Sequence, residues 1–236
     1  MIGGRMMKTI GLIGGMSWES TVTYYQIINR VIQEELCGLH SAKCLLYSVD
    51  FAEIEECQAN GDWEKSGSIL ANAAESLEKA GADFIIICTN TMHKVIDQIQ
   101  AGIHIPILHI ADVTAKELIK QKIYKIALLG TKYTMEQDFY KSKLIAQGIE
   151  VLIPDSDDIT KINTIIYNEL CRGIILKESK KIYLDIIEKL SKKGAQGVIL
   201  GCTEIGLLVN QNDTNIPLFD TTFLHAKRAA LHSIEL

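Results

Sequence analysis

The chain has 236 residues, 47% of them hydrophobic and 22% charged, which is ordinary globular composition with apolar material for one large core or two small ones. Its 29 acidic residues outnumber 24 lysines and arginines for a net charge of -5, and no basic cluster interrupts them. A polyanionic partner such as nucleic acid is therefore excluded, and a small molecule is the expected partner.

Residues 1–6 precede a second methionine, Met7, and read as a longer natural start or a leader outside the fold. Lys8–Gly15 reads as a short strand ending in glycines. An amphipathic helix from about Thr21 to Leu36 follows it, with Ser17, Ser20 or Thr21 as its cap. A strand at Cys44–Val49, a helix from about Trp63 to Ala80 and a strand at Asp83–Cys88 continue the alternation, punctuated by Gly38, Gly61 and Gly81. The pattern then restarts. Lys125–Gly130 is a strand, Phe139–Gln147 a helix, Ile149–Pro154 a strand, Asp158–Cys171 and Lys177–Lys193 helices, and Gly197–Gly201 a strand. Ile216–Asp220 and a helix over Thr221–Ser233 end the chain.

Alternating strands and helices imply parallel sheets with covered faces. Lys8–Gly14 resembles Lys125–Gly130, and Phe84–Thr91 resembles Val198–Glu204, so the expected fold is two similar Rossmann-like α/β domains related by a pseudo-two-fold axis. The closing strand and helix are expected to rejoin the first domain, giving residues 7–103 plus 209–236 and residues 104–208. Ligands of such sheets bind beyond the carboxyl ends of the strands. Thr89-Asn90-Thr91 and Cys202-Thr203-Glu204 are thus expected to face one interdomain cleft that holds the active site.

Cys202 follows an apolar strand and Gly201 and precedes a helix expected near Thr203, where backbone N–H groups favour a thiolate; the competing reading is a small buried residue. Thr89-Asn90-Thr91 can bind a carboxylate through hydroxyl, amide and backbone N–H groups, or simply cap a helix. Strand alternation turns Cys88 away from Thr89, into the core. Gly14-Gly15-Met16-Ser17 lacks the third glycine of a dinucleotide loop and the lysine of a phosphate loop, although its backbone N–H groups suit a carboxylate. His93, His109, His225 and His232 show no metal-ligand spacing and read as structural, and Lys161 reads either as a solvated helix lysine or as a cation reaching the cleft.

The six cysteines form no CxxC pair, so neither a disulfide framework nor a zinc site is expected. The longest apolar runs, such as Phe84–Cys88, fall far short of the ~20 residues of a membrane helix, and glycines break up the N-terminal apolar stretch. The expectation is a cytoplasmic protein with no membrane partner.

Several blocks are recognisable together: Gly14–Thr21, Leu39–Ala42, Ser48–Phe51 with Glu53–Gln58, Cys88–Lys94, Leu129–Thr131 with Tyr133–Tyr140, Lys161–Asn163 and Gly201–Gly206. From Lys8 onward the chain resembles the bacterial aspartate/glutamate racemases, and most nearly their L-specific branch. The resemblance implies a two-domain α/β homodimer acting on an amino acid with no pyridoxal phosphate, metal or other cofactor. The family's first strand tip reads Cys-Asn-Thr; here Thr89 takes the cysteine position, while the second, Gly-Cys-Thr, is intact at Cys202. Thr89 and Cys202 are thereby implied as the catalytic pair for acidic amino acids, with Cys202 serving the L-enantiomer. Met16, Gln58, Asn90, Thr91, Lys161, Thr203 and Glu204 are implied around the substrate. Some members hold the side-chain carboxylate with an arginine after the second strand, and this chain has none between Arg30 and Arg172. A racemase of broader specificity, acting for example on homoserine, and a non-catalytic dicarboxylate-binding protein are the alternatives.

Overall fold

The structure is a computed structural model that describes residues 7–235. The leader reading of residues 1–6 lies outside them. Two compact units are present: the first runs to Ile110 and takes back His225–Leu236, and the second is Ala111–Leu224.

The first unit holds strands β1 (Ile10–Gly14), β2 (Cys44–Ser48) and β3 (Phe84–Ile87) and helices α1 (Trp18–Leu36), α2 (Phe51–Asn60), α3 (Trp63–Lys79) and α4 (Ile96–Ala101). Its sheet is parallel in the order β2-β1-β3, and Ile107 adds a single parallel bridge to Ile85 beyond β3. Every residue of β1 and β3 is buried, which is why both read as unbroken apolar runs instead of alternating ones. Ser17 caps α1, accepting from the Ser20 N–H at 3.4 Å, so of the three candidate caps the serine nearest the strand is used. Gly15 sits at φ +92°, and a Cβ there would lie 2.2 Å from the Val49 carbonyl oxygen; only glycine makes this turn.

The second unit holds β4 (Lys125–Gly130), β5 (Glu150–Leu152), β6 (Val198–Gly201) and β7 (Leu218–Asp220), paired in parallel in the order β5-β4-β6-β7. Its helices are α5 (Ile110–Lys120), α6 (Lys132–Glu136), α7 (Asp138–Ile145), α8 (Ser156–Asn168), α9 (Lys177–Lys192) and α10 (Ile205–Leu208); α11 (Thr221–Ile234) closes the chain. Ile162, Tyr183, Ile186 and Leu190 from α8 and α9 bury against Ala127, Leu129 and Leu200 of the sheet.

The expected boundaries at residues 103 and 208 both shift. β7 pairs with β6, in the second sheet, and only the chain from His225 rejoins the first unit. The reason is a repeat that spans the fourth position of each sheet: Ile105-Pro106-Ile107 and Ile216-Pro217-Leu218. Pro106 accepts from Ile85 N–H at 2.9 Å, and Pro217 accepts from Val198 N–H at 2.8 Å. Each of these segments runs into a helix assigned to the other unit, α5 to the second and most of α11 to the first.

Candidate active site

Matched registers align the two sheets residue by residue. Ile13 pairs with Ile87 next to the terminal Gly14 of β1, and Leu129 pairs with Leu200 next to the terminal Gly130 of β4. Counting onward, Cys88 corresponds to Gly201, Thr89 to Cys202, Asn90 to Thr203 and Thr91 to Glu204. Similar sequences alone leave open which residue corresponds to Cys202, since Cys88 is also a cysteine; the hydrogen-bond registers within the two sheets make it Thr89. Cys88 is fully buried among Leu12, Tyr24, Phe84 and Ile86, and burial pushes its thiol far up, as expected for a core residue.

The strand tips need glycine where chains approach. A Cβ on Gly201 would lie 2.8 Å from the Leu129 carbonyl oxygen, and one on Gly130 would lie 2.8 Å from the Gly201 carbonyl oxygen. Cys202 follows directly, 8% exposed, and its Sγ–H donates to Glu204 Oε2 at 3.0 Å. The Thr203 hydroxyl donates to the same oxygen at 2.6 Å. This tip corrects the expectation of a thiolate favoured by a helix N-terminus. The helix starts at Ile205, not Thr203, and has only four residues. Burial first, and the Glu204 carboxylate second, push the Cys202 thiol well above the usual cysteine range. At rest Cys202 is a protonated thiol handed to a carboxylate.

The Thr89 tip is built differently. Thr89 is half-buried, and Asn90 and Thr91 are buried at the start of a single 3-10 turn over Thr91–Val95. The Asn90 side chain makes no capping bond to that turn, which removes the plain capping reading for it. His93, 1% exposed, places Nδ1 2.9 Å from the Thr89 carbonyl oxygen and accepts the Ile110 N–H on Nε2 at 3.3 Å.

Met16 and Gln58 lie in the same unit. Met16 is buried with Ile13, Ile54 and Met92, and the Gln58 amide, on α2, reaches the Met92 sulfur at 3.1 Å. The Gly15 N–H, a suggested carboxylate donor, is already bonded to Thr21 Oγ1 at 2.9 Å, so that donor is spent on the turn. Lys161, on α8 of the second unit, is half-exposed and ion-paired to buried Asp158 at 2.8 Å; Lys189 pairs with the other Asp158 oxygen at 2.6 Å. Burial raises the Asp158 pKa, but hydrogen bonds from the two lysines outweigh it and hold the carboxyl below its usual range.

Sequence reasoning missed Asp158, although it stands three residues before Lys161 on one helix face, a spacing readable in advance. It also missed Asn163, whose side-chain oxygen accepts the Lys132 N–H at 2.8 Å and ties α8 to the end of β4. Among the described residues no group of three or more His, Cys, Asp or Glu side chains is placed to hold a metal ion, and no helix is long and apolar enough to cross a membrane.

Parallel α/β units with corresponding polar tips, one carrying a hydroxyl and the other a thiol paired with a carboxylate, define a two-unit α/β protein. The particular lineage follows from comparison with known proteins. The chain belongs to the Asp/Glu/hydantoin racemase family, whose model matches residues 13–229, and its chemistry is amino-acid racemisation. The broad specificity amino-acid racemase RacX of Bacillus subtilis (strain 168) is 27% identical over 228 residues, 92% of this chain and 95% of that one. The crystal structure of a candidate Asp/Glu racemase from Yersinia pestis superposes with a TM-score of 0.91 at 56% identity, covering 97% of this chain and 100% of that one. That of an aspartate racemase homologue from Pyrococcus horikoshii OT3 gives 0.84 at 37% identity, covering 98% and 100%.

Proposed function

We propose that this racemase inverts acidic amino acids, L-aspartate and L-glutamate, by proton transfer at Cα between Cys202 and Thr89. The observation that carries the reading is the correspondence of Thr89 with Cys202 at the ends of equivalent strands. Inversion requires a proton to leave one face of Cα and another to arrive on the opposite face, so it needs two groups, and two like tips acting on one substrate would supply them.

The Cys202 proton passes first to Glu204, along the 3.0 Å hydrogen bond. The thiolate then takes the Cα proton of the L-enantiomer. Thr89 delivers a proton to the other face, directly or through water, and is reprotonated through solvent by the proton that Glu204 took from Cys202, which returns Glu204 to its carboxylate. Asn90, Thr91, Thr203 and Lys161 hold the carboxylates, with Met16 and Gln58 lining the first-unit side. Hydrogen bonds to the carboxylate stabilise the charge that develops there, often a large part of catalysis. The mechanism asks for no cofactor.

Exchange in heavy water tests this. Wild type incorporates deuterium at Cα of L-aspartate or L-glutamate, and Cys202→Ala does not; a Cys202→Ala enzyme with full exchange ends the mechanism. A second reading, broader specificity that includes neutral or hydroxylated amino acids, is favoured by the lack of any arginine between Arg30 and Arg172 and by the likeness to RacX. Chiral chromatography over a panel of L-amino acids separates the two. A homodimer belongs to the same proposal, supported by Trp18, Val22 and Tyr25, exposed at helical spacing along α1. Trp18→Glu is expected to shift sedimentation toward the monomer, and an unchanged dimer would move the interface elsewhere.

A further inference from the structure

Three histidines gather in the first unit: the His93 ring centroid lies 4.6 Å from that of His109 and 6.0 Å from that of His225. All three are buried. Their hydrogen bonds fix two tautomers. His93 Nε2 accepts a backbone N–H, so its proton sits on Nδ1 and is donated to the Thr89 carbonyl. His225 Nε2 donates to the Leu108 carbonyl at 2.8 Å, and in the neutral ring Nδ1 accepts from the Tyr24 hydroxyl at 2.9 Å. The His93 ring is therefore neutral, and burial, which lowers the His225 pKa to about 4, keeps that ring neutral as well. Burial, with His109 and His225 adding to it, holds His93 well below the usual histidine range.

These bonds fall on informative backbone. Leu108 and Ile110 are the last residues before the chain passes into the second unit, and His225 is the first residue after it returns. His93 thus joins the tip carrying Thr89 to the point where the chain leaves the unit. The second unit has no such device. Counted from the strand tips, Gly206 stands at the place of His93; counted from the Ile105-Pro106-Ile107 and Ile216-Pro217-Leu218 repeat, Asp220 stands at the place of His109, and the Leu200 carbonyl is bonded by the Thr221 hydroxyl at 2.8 Å.

We infer that His93 is the positioning residue for Thr89: its neutral imidazole bridges the Thr89 carbonyl to the Ile110 N–H and so fixes where the Thr89 hydroxyl delivers its proton. His93 touches no reacting atom in this role. The inference rests on the proposed Thr89/Cys202 reading and predicts an asymmetric defect. Loss of His93 misplaces the hydroxyl and leaves the Cys202–Glu204 pair untouched, so inversion falls while Cys202 continues to wash deuterium into the L-enantiomer.

The experiment measures, for L-aspartate and L-glutamate in heavy water, deuterium incorporated into recovered L-substrate and D-product formed. His93→Phe, which keeps the ring and removes both nitrogens, is expected to lower the ratio of inversion to exchange by about 10-fold to 100-fold, since misplacing a reacting group by about 1 Å costs that order. Thr89→Ala gives the reference signature. His93→Asn retains a donor toward the Thr89 carbonyl and is expected to recover part of the ratio. A folded His93→Phe with the wild-type ratio, or with exchange and inversion falling by one factor, overturns the inference. If His93→Phe fails to fold, nitrogen-15 spectra of the wild-type histidines decide: a neutral Nδ1–H ring at about pH 7 supports the bridge, and an Nε2–H or protonated His93 overturns it. Failure of the underlying reading looks different, as wild type that exchanges nothing or Cys202→Ala that still exchanges.

Discussion

The tips of β3 and β6 occupy corresponding positions in their sheets and yet are built from different chemistry. At β6 burial and, after it, the bonded Glu204 carboxylate push the proton affinity of the Cys202 thiol up. At β3 a half-buried hydroxyl has its backbone held by a neutral imidazole. A repeated backbone can thus present two unlike groups, and on the proposed reading their proton chemistry is set by what lies within about 3 Å of each tip instead of by the strand that presents it. A threonine hydroxyl is a far weaker acid than a thiol, so the two directions of inversion are expected to look unequal in rate and saturation. Because enantiomers have equal energy, the two values of kcat/KM still have to agree at equilibrium.

The sharpest break in that comparison is Cys202→Ala, expected to lower kcat/KM for the L-substrate by about 10²–10⁴-fold, the usual range for a lost acid–base group; polarimetry against wild type checks it. Thr89→Cys instead removes the contrast, and the separately measured kcat values of the two directions are expected to converge. If they stay as unequal as in wild type, the inequality has another origin.

Acid should break the β3 side first. Burial holds His225 at about 4, below the ordinary 6.5 of a histidine. Its neutral form therefore contributes fully above pH 6.5, and that contribution is lost as pH falls toward 4, because the unfolded chain then binds a proton that the folded one refuses. At 1.36 kcal/mol per pH unit the loss reaches about 3 kcal/mol, before any share from His93. Urea titrations between pH 7 and pH 4 check this, and His225→Gln is expected to flatten the dependence. His93, His109 and Tyr24 are the titratable neighbours of that ring.

Gly201→Ala is expected to cost about 1–3 kcal/mol, since its methyl group would press on the Leu129 carbonyl in a strand with no room to give; thermal unfolding measures it. The smallest effect belongs to Cys88→Ala, one residue from Thr89 but packed in the core, with kcat/KM expected within about twofold of wild type. A large catalytic loss there would mean that β3 presents the other face.

The elements legible from sequence were those with a local signal. The glycine-ended runs at Lys8–Gly15 and Lys125–Gly130 and the helices from Trp63 and Lys177 sit within a few residues of their expected bounds. The strand ends before Thr89 and Cys202 were legible because each is an apolar run followed by small polar residues. What escaped was tertiary. Ile105–Ile107 makes only one bridge to β3, too short to read as a strand, so its kinship with β7 and the true boundaries stayed hidden. The protonated state of Cys202 was equally invisible, since it depends on Glu204 turning back toward the sulfur. The backbone partners of His93 and His225, 4 and 117 residues away, carry no sequence signal.

The exchanged final helix bears on synthesis. Ala226, Ala229 and Ala230 of α11 close the apolar cluster around Tyr24, Ile28 and Phe84, which the ribosome made long before. The unit begun first waits for this helix: until α11 has been made, the apolar cluster around Tyr24, Ile28 and Phe84 lacks the three alanines that close it.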